Sequence, residues 1–283
     1  MTIINGVSYR VFKDHLFKIT TIIASFLLLV PLILILFYII KNGISTINWE
    51  FIINMPKPVG ESGGGIANAI VGTFMLIGIA SFCAIPLGIL VGIFLYDHKS
   101  SILSWWTRFS VEVLQGVPSI VIGILAYTWI VIPNGSFSAL SGGIALGIMM
   151  LPIIVKSTEE TLNLIPNHLK EASLALGVPY YKTLLKVIVP CAMSGIVTGI
   201  LIGIARIVGE TAPLLFTAFG NQFINYNILK PVNSLPLMIF NYAASPYEDW
   251  HKIAWGASFF LVAVVFILNV ITKLVVRRWK VQF

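Results

Sequence analysis

Charge is scarce in this sequence. Asp, Glu, Lys and Arg make up only 10% of its 283 residues, against 58% hydrophobic residues. A chain with so few charges and a mean hydropathy of +0.95 cannot cover a water-facing surface, which excludes a soluble domain. Cysteine is nearly absent too. Cys83 and Cys191 stand in apolar stretches about a hundred residues apart, which argues against a disulfide and for small packing residues. The four histidines, His15, His98, His168 and His251, show no metal-ligand spacing, so no metal site is expected. No Gly-Lys pair occurs, and therefore no Gly-x-x-x-x-Gly-Lys-Ser/Thr loop, so the chain is not expected to hydrolyse ATP itself. Long charged or Ser/Gly-rich tracts are missing as well, which implies a single domain over residues 1–283 without a linker.

What is present is a series of long apolar runs, at about 19–40, 66–96, 113–132, 139–155, 190–212 and 253–276. Each is read as a membrane-crossing helix, giving an all-α integral membrane protein of six spans with its core over about 66–276. The first run follows Arg10, Lys13 and Lys18 but exceeds a signal-peptide core and has no small-residue cleavage site, so it is expected to be retained. The second is too long for a straight crossing and should tilt, or bend near Pro86. Thirteen Lys and Arg then fall on one side of the membrane, and only Lys41, Lys57, Lys230 and Lys252 on the other. By the positive-inside rule, both ends of the chain and the 156–190 segment are cytoplasmic. The net charge of +7 is thus a matter of topology and anionic headgroups rather than nucleic acid.

The 156–190 segment is polar but not shapeless. Leu162, Leu169, Ala172 and Leu176 recur at helical spacing, Gly177 can end that helix in a left-handed conformation, and Pro179 blocks its continuation. A second short helix, 180–188, carries Lys182 and Lys186. Two helices joined by a glycine turn make a rigid knob, suited to docking. On the outer side, Gly60-Glu61-Ser62-Gly63-Gly64-Gly65 reads as a flexible turn rather than a phosphate cradle, lacking a preceding strand. Residues 214–252 hold Tyr226, Tyr242, Tyr247 and Trp250, as an interfacial aromatic belt would, and end in an acidic turn at Glu248 and Asp249.

One pair of charges lies inside an apolar run. At 100° per residue, Gly195, Gly199, Gly203, Arg206 and Glu210 share a face of the fifth helix. The glycines would let another backbone approach closely, and the charges must be buried in protein or touch water. Two readings stand: an i,i+4 salt bridge that locks packing, or the wall of a pathway. Gln115-Gly116-Val117-Pro118-Ser119 opens the third helix, where Ser119 caps the helix or lines the path, and Pro152 marks a possible hinge in the fourth.

The ordered set Glu171-Ala172-Ser173, Gly177, Val187, Val189-Pro190 resembles the EAA loop of ABC-importer permeases, with Ser173 replacing an alanine and valines replacing isoleucine and leucine. With Gln115 to Ser119, Met150 to Ile153, Thr158 to Glu160 and Ala205 to Leu214, it is similar to the phosphate-importer permeases of the PstA type over roughly 60–275. The resemblance implies a type I ABC importer permease fold with no catalytic residue. It assigns Glu171, Ala172, Ser173, Gly177 and Pro190 to ATPase coupling, and Arg206, Glu210, Ser119 and Thr211 to the substrate pathway. It further implies a second homologous permease, giving a heterodimer. Two copies of a cytoplasmic ATPase that bind the ATP, an extracytoplasmic phosphate-binding protein above residues 214–252, and residence in a prokaryotic plasma membrane follow from the same likeness. A permease for another oxyanion or solute is the alternative, and a membrane-embedded enzyme a more distant one.

Overall fold

The computed structural model describes the backbone of residues 2–61 and 63–278 and the side chains of 10–61 and 63–274. Ser62 of the glycine turn, and Lys280, one of the thirteen basic residues counted above, lie outside these. The described residues are almost wholly helical, with one isolated bridge between Phe219 and Val232. Among them, five helices are long and apolar enough to cross a membrane, or six if a bent pair counts as one crossing.

Helix α1 (Thr2–Gly43) is longer than the 19–40 run, because helical geometry continues through the polar residues before it. Its apolar surface is open, apart from its end, where Gly43 sits against Trp255 and Phe259 of the last helix. A short α2 (Trp49–Ile53) is capped by the Asn48 side chain, which accepts from the Phe51 amide. Helix α3 (Ala67–Asp97) agrees with the expected second span and runs on through Pro86.

The third span departs from expectation. Residues 113–116 belong to a separate helix, α4 (Ile102–Gly116), and the span itself, α5 (Ser119–Asn134), meets it at 105°. Pro118 causes the break: it has no amide to donate and disfavours α geometry at Val117, whose backbone is extended. A π turn at Tyr127–Val131 interrupts α5.

Helix α6 (Ala139–Asn163) extends eight residues beyond the expected 155, so Lys156 to Glu160, read as part of the knob, continue the helix. Helix α7 (Asn167–Ala175) follows. The expected second knob helix is not separate: α8 (Tyr180–Val208) carries it straight into the fifth span. A π turn at Leu184–Ile188 precedes Pro190, and there the Val189 amide donates to the Leu184 carbonyl, one residue further back than in an α-helix. The chain then breaks, forms α9 (Ala212–Thr217) and, after an irregular outer segment, α10 (Leu235–Ala243). Helix α11 (Glu248–Arg278) is the last span, and Glu248 and Asp249 in its first turn complement its dipole.

The core forms where α3 and α6 cross. Leu76, Ala80 and Ala84 are buried there at four-residue spacing, continued by Gly88 and Gly92. A methyl group on Gly88 would strike Ile154, and one on Gly92 would strike Thr158. Small residues let the two backbones approach, which is how helices gain packing energy in lipid. The outer aromatics divide. Tyr242 is buried and stacked on Trp250 with centroids 4.4 Å apart, while Tyr226 and Tyr247 are exposed. Burial in the core between α10 and α11 therefore removes Tyr242 from the expected belt. Gly60, Gly63 and Gly64 all have positive φ, as a glycine turn requires. Both cysteines are free and partly buried, Cys83 on α3 and Cys191 on α8.

Candidate functional site: the knob and the broken end of helix α8

The knob is held from three directions. Gly177 has φ +77°, its amide donates to Leu174 and the Val178 amide to Ser173, the paired bonds of a Schellman cap. Ser173 and Thr183 are buried and share a hydroxyl–hydroxyl bond of 2.9 Å, tying α7 to the first turn of α8. The Tyr180 hydroxyl donates to the Asp97 carboxylate at the end of α3. Lys170 donates to the same hydroxyl at 3.2 Å and lies 4.7 Å from the ring centre. Beneath them, Leu162, Ile165, Ile188, Ala192 and Ile196 form an apolar floor with Tyr96.

The helical spacing read from sequence holds only in part. Leu162 is buried in α6, but Ala172 and Leu176 are exposed, because Ser173 occupies the inward position of α7. Of the five residues expected to couple to an ATPase, Glu171, Ala172, Gly177 and Pro190 are exposed and Ser173 is not. In the same part of the chain, Leu164, Leu174, Leu176, Tyr181 and Leu185 are exposed.

Helix α8 ends at Val208, so Glu210 is not on the helical face drawn for it. Gly209 caps the helix and the Glu210 amide donates to Ile207. Arg206 and Glu210 still face each other, with Nε and Oε1 3.9 Å apart. The guanidinium is the more open partner, 44% exposed against 20% for the carboxylate. At 3.9 Å the pair attracts without a direct hydrogen bond, leaving the donors of the fork free. Thr211 precedes α9 without capping it.

The glycine stripe is consumed inside the chain. Side chains added at Gly195, Gly199 and Gly203 would meet Thr161, Ser157 and Met150 of α6, and the Ser157 hydroxyl donates to the Gly195 carbonyl at 3.1 Å. The interface those glycines serve is therefore α6 against α8. Arg206 stands at the edge of this face, next to the open side of α8 where Ile202 is 51% exposed. Ser119 does not cap α5, since Pro118 occupies that position. It lies one turn, roughly 6 Å, before Gly123, which packs against Pro213 of α9. Among the described residues, no group of three or more His, Cys, Asp or Glu is placed to hold a metal.

An ion pair that joins three helices went unread in the sequence. Arg108 of α4 donates from Nε to Glu159 of α6 at 2.8 Å, and from its terminal nitrogens to the Leu95 and Lys99 carbonyls at 2.9 and 3.3 Å. A single guanidinium thus joins α4, α6 and the end of α3. The signal available was an arginine amid aromatic residues, with Glu159 at helical spacing beyond Val155.

Comparison with known proteins now places the chain. Residues 84–281 match the family described as binding-protein-dependent transport system inner membrane component. The chain belongs to that family. Within it, this permease is of the PstA type. It is 40% identical over 250 residues, 88% of its length and 85% of the relative's, to the phosphate transport system permease protein PstA of Yersinia pestis. The Pasteurella multocida protein of that name is 38% identical over 94% of the permease and 95% of its own length. A probable PstA of Methanocaldococcus jannaschii is 35% identical over 93% and 94%. Among solved structures, an inward-facing MetNI methionine ABC transporter chain superposes with a TM-score of 0.59 at 20% identity, covering 77% of the permease and 95% of that chain. An amino acid ABC transporter gives 0.53 at 18%, over 75% and 94%. These share the fold, that of a type I ABC importer permease, and the permease is a multi-pass component of an inner membrane.

Proposed function

We propose that this permease forms half of the translocation pathway of an ATP-driven phosphate importer. The observation that carries this is its match over nearly the whole length to relatives named as phosphate transport permeases. A second permease completes the pathway, and two cytoplasmic ATPase subunits dock on the knobs. An external phosphate-binding protein delivers substrate, and both ends of the chain face the cytoplasm, as the distribution of Lys and Arg favours. The permease contributes no catalytic group. ATP is bound and hydrolysed by the partner subunits.

Arg206 suits a tetrahedral oxyanion, because its planar fork offers two parallel donors to two oxygens. Glu210 balances the guanidinium when no anion is present. Thr211 and Ser119, near the α5–α9 contact, add hydroxyl donors to the same wall. On the cytoplasmic face, the ATPase contacts Glu171, Ala172 and the surrounding leucines, while Ser173, Gly177 and Pro190 keep the knob in shape. Closure of the ATPases draws the two knobs together, and the open faces of the α8 helices part to admit the anion.

The test is uptake of labelled phosphate by membrane vesicles containing the permease pair, ATPase and binding protein, with sulfate as competitor. ATP-dependent uptake blocked by unlabelled phosphate but not by sulfate is expected. Equal displacement by sulfate would point to a general oxyanion carrier, and ATP-independent turnover by the purified chain to an enzyme.

A further inference from the structure

Helix α4 turns its aromatic side outward. On a wheel of 100° per residue, Ile102, Trp105, Trp106, Phe109 and Val113 fall within about 60° of one direction, and the structure leaves all five exposed. Trp105 and Trp106 are 57% and 55% exposed. The opposite face holds the buried Ser104 and Val111 and directs Arg108 to its partners on α3 and α6. The aromatic face is a preassembled slab: Trp105 and Phe109 stack at 4° with centroids 5.8 Å apart, and Trp106 meets Trp105 edge-on at 4.8 Å.

Three observations say what covers it. The 105° elbow sets α4 nearly perpendicular to α5, so a helix following a membrane crossing lies close to the membrane plane. Indole rings favour the boundary between headgroups and acyl chains. Lys99 immediately precedes the helix, and Lys156, Lys170, Lys182 and Lys186 belong to the same end of the molecule, a charge that complements anionic headgroups. Ser110 and Glu112 border the slab, as expected of residues at headgroup level.

We propose that α4 is an in-plane membrane anchor, its Trp105-Trp106-Phe109 face immersed at the headgroup–acyl boundary of an anionic leaflet on the knob side. Arg108 fastens this anchor to α3 and α6. Immersion follows from the membrane character of the chain; only the identity of the leaflet as cytoplasmic rests on the function proposed above.

The test uses the assembled transporter in liposomes of phosphatidylethanolamine and phosphatidylglycerol. With Cys83→Ala and Cys191→Ala as background, single nitroxide labels are placed at Trp105→Cys, Phe109→Cys and, on the exposed flank, Ser110→Cys. Labels at 105 and 109 should collide with oxygen more than with a water-soluble nickel chelate, at a depth of about 5–10 Å. The label at 110 should show the reverse. Preferential collision with the chelate at 105 and 109 means an aqueous surface, and shielding from both reagents means a protein partner such as the second permease; either overturns the proposal. Should the labelled variants not assemble, tryptophan quenching by lipids brominated near the headgroup decides. The double variant Trp105→Phe, Trp106→Phe should lose part of the quenching seen in the parent, and unchanged quenching overturns the anchor. Neither readout requires phosphate transport.

Discussion

Ser173 and Thr183 stand 2.9 Å apart, hydroxyl to hydroxyl, both buried between helices whose other faces are largely exposed. Ser173 is the residue at which the chain departs from the Glu-Ala-Ala pattern, so the extra oxygen has a partner. Thr183→Val keeps the shape but orphans the serine, which should destabilise the knob by about 1–3 kcal/mol. Adding Ser173→Ala should recover most of that loss, since neither buried hydroxyl then lacks a partner. A double-mutant cycle on the rate of proteolysis within 164–183 measures the coupling; additive losses would contradict it.

Gly177 offers a cleaner backbone test. Its φ of +77° is unfavourable for other residues, yet nothing lies within 4 Å of the place a Cβ would occupy. Gly177→Val should therefore cost roughly 1–2 kcal/mol through conformation alone, and Gly177→Asn clearly less, because asparagine tolerates the left-handed region. Co-purification of the ATPase should weaken in that order. Equal retention by all three proteins would separate knob shape from docking.

The Arg108–Glu159 pair predicts a loss of stability rather than of docking. Arg108→Met removes bonds to Glu159, Leu95 and Lys99 together and leaves the carboxylate without its partner. A loss of about 1.5–3 kcal/mol is expected from the charged hydrogen bond, seen as earlier thermal unfolding in detergent. Arg108→Lys should recover only a fraction, because one ammonium cannot reach three acceptors in different directions.

Arg206 and Glu210 test the pathway. Arg206→Gln should abolish phosphate uptake at normal membrane level, and Arg206→Lys should impair it, since an ammonium lacks the two-donor fork. Arg206 lies on α8 and Glu210 beyond its end, so exchanging the two moves the guanidinium onto the broken segment. A packing bridge survives such an exchange. Full uptake by the exchanged protein would remove these residues from the pathway, and loss of uptake with normal assembly supports them there.

The spans were legible because lipid leaves a sequence few choices: long apolar runs mark where the chain crosses, and α3 and α6 start within a residue of where those runs do. Ends were harder. Lys156 to Glu160 are polar yet helical, because the backbone bonds of α6 do not stop where the apolar face does. Helix α4 escaped notice because a run of mixed polarity before a proline reads equally as loop, and only the 105° elbow declares it separate. Pro190 suggested a boundary that the π turn at Leu184–Ile188 absorbs. The pairing of Arg206 with Glu210 was visible at spacing four, but the helix end between them was not, since Gly209 in an apolar run resembles the packing glycines before it.

The unbroken course of α8 has a mechanical consequence. Twenty-nine residues from Tyr180 to Val208 measure about 43 Å at 1.5 Å each. A stiff lever of that length, tilted by about 10° at its knob end, swings its far tip through roughly 7 Å. Arg206 rides near that tip, and Glu210 lies just beyond the helix end. In the importer proposed above, a stroke at the knob would reach the guanidinium as an arc of about that width, with no relay of side chains between.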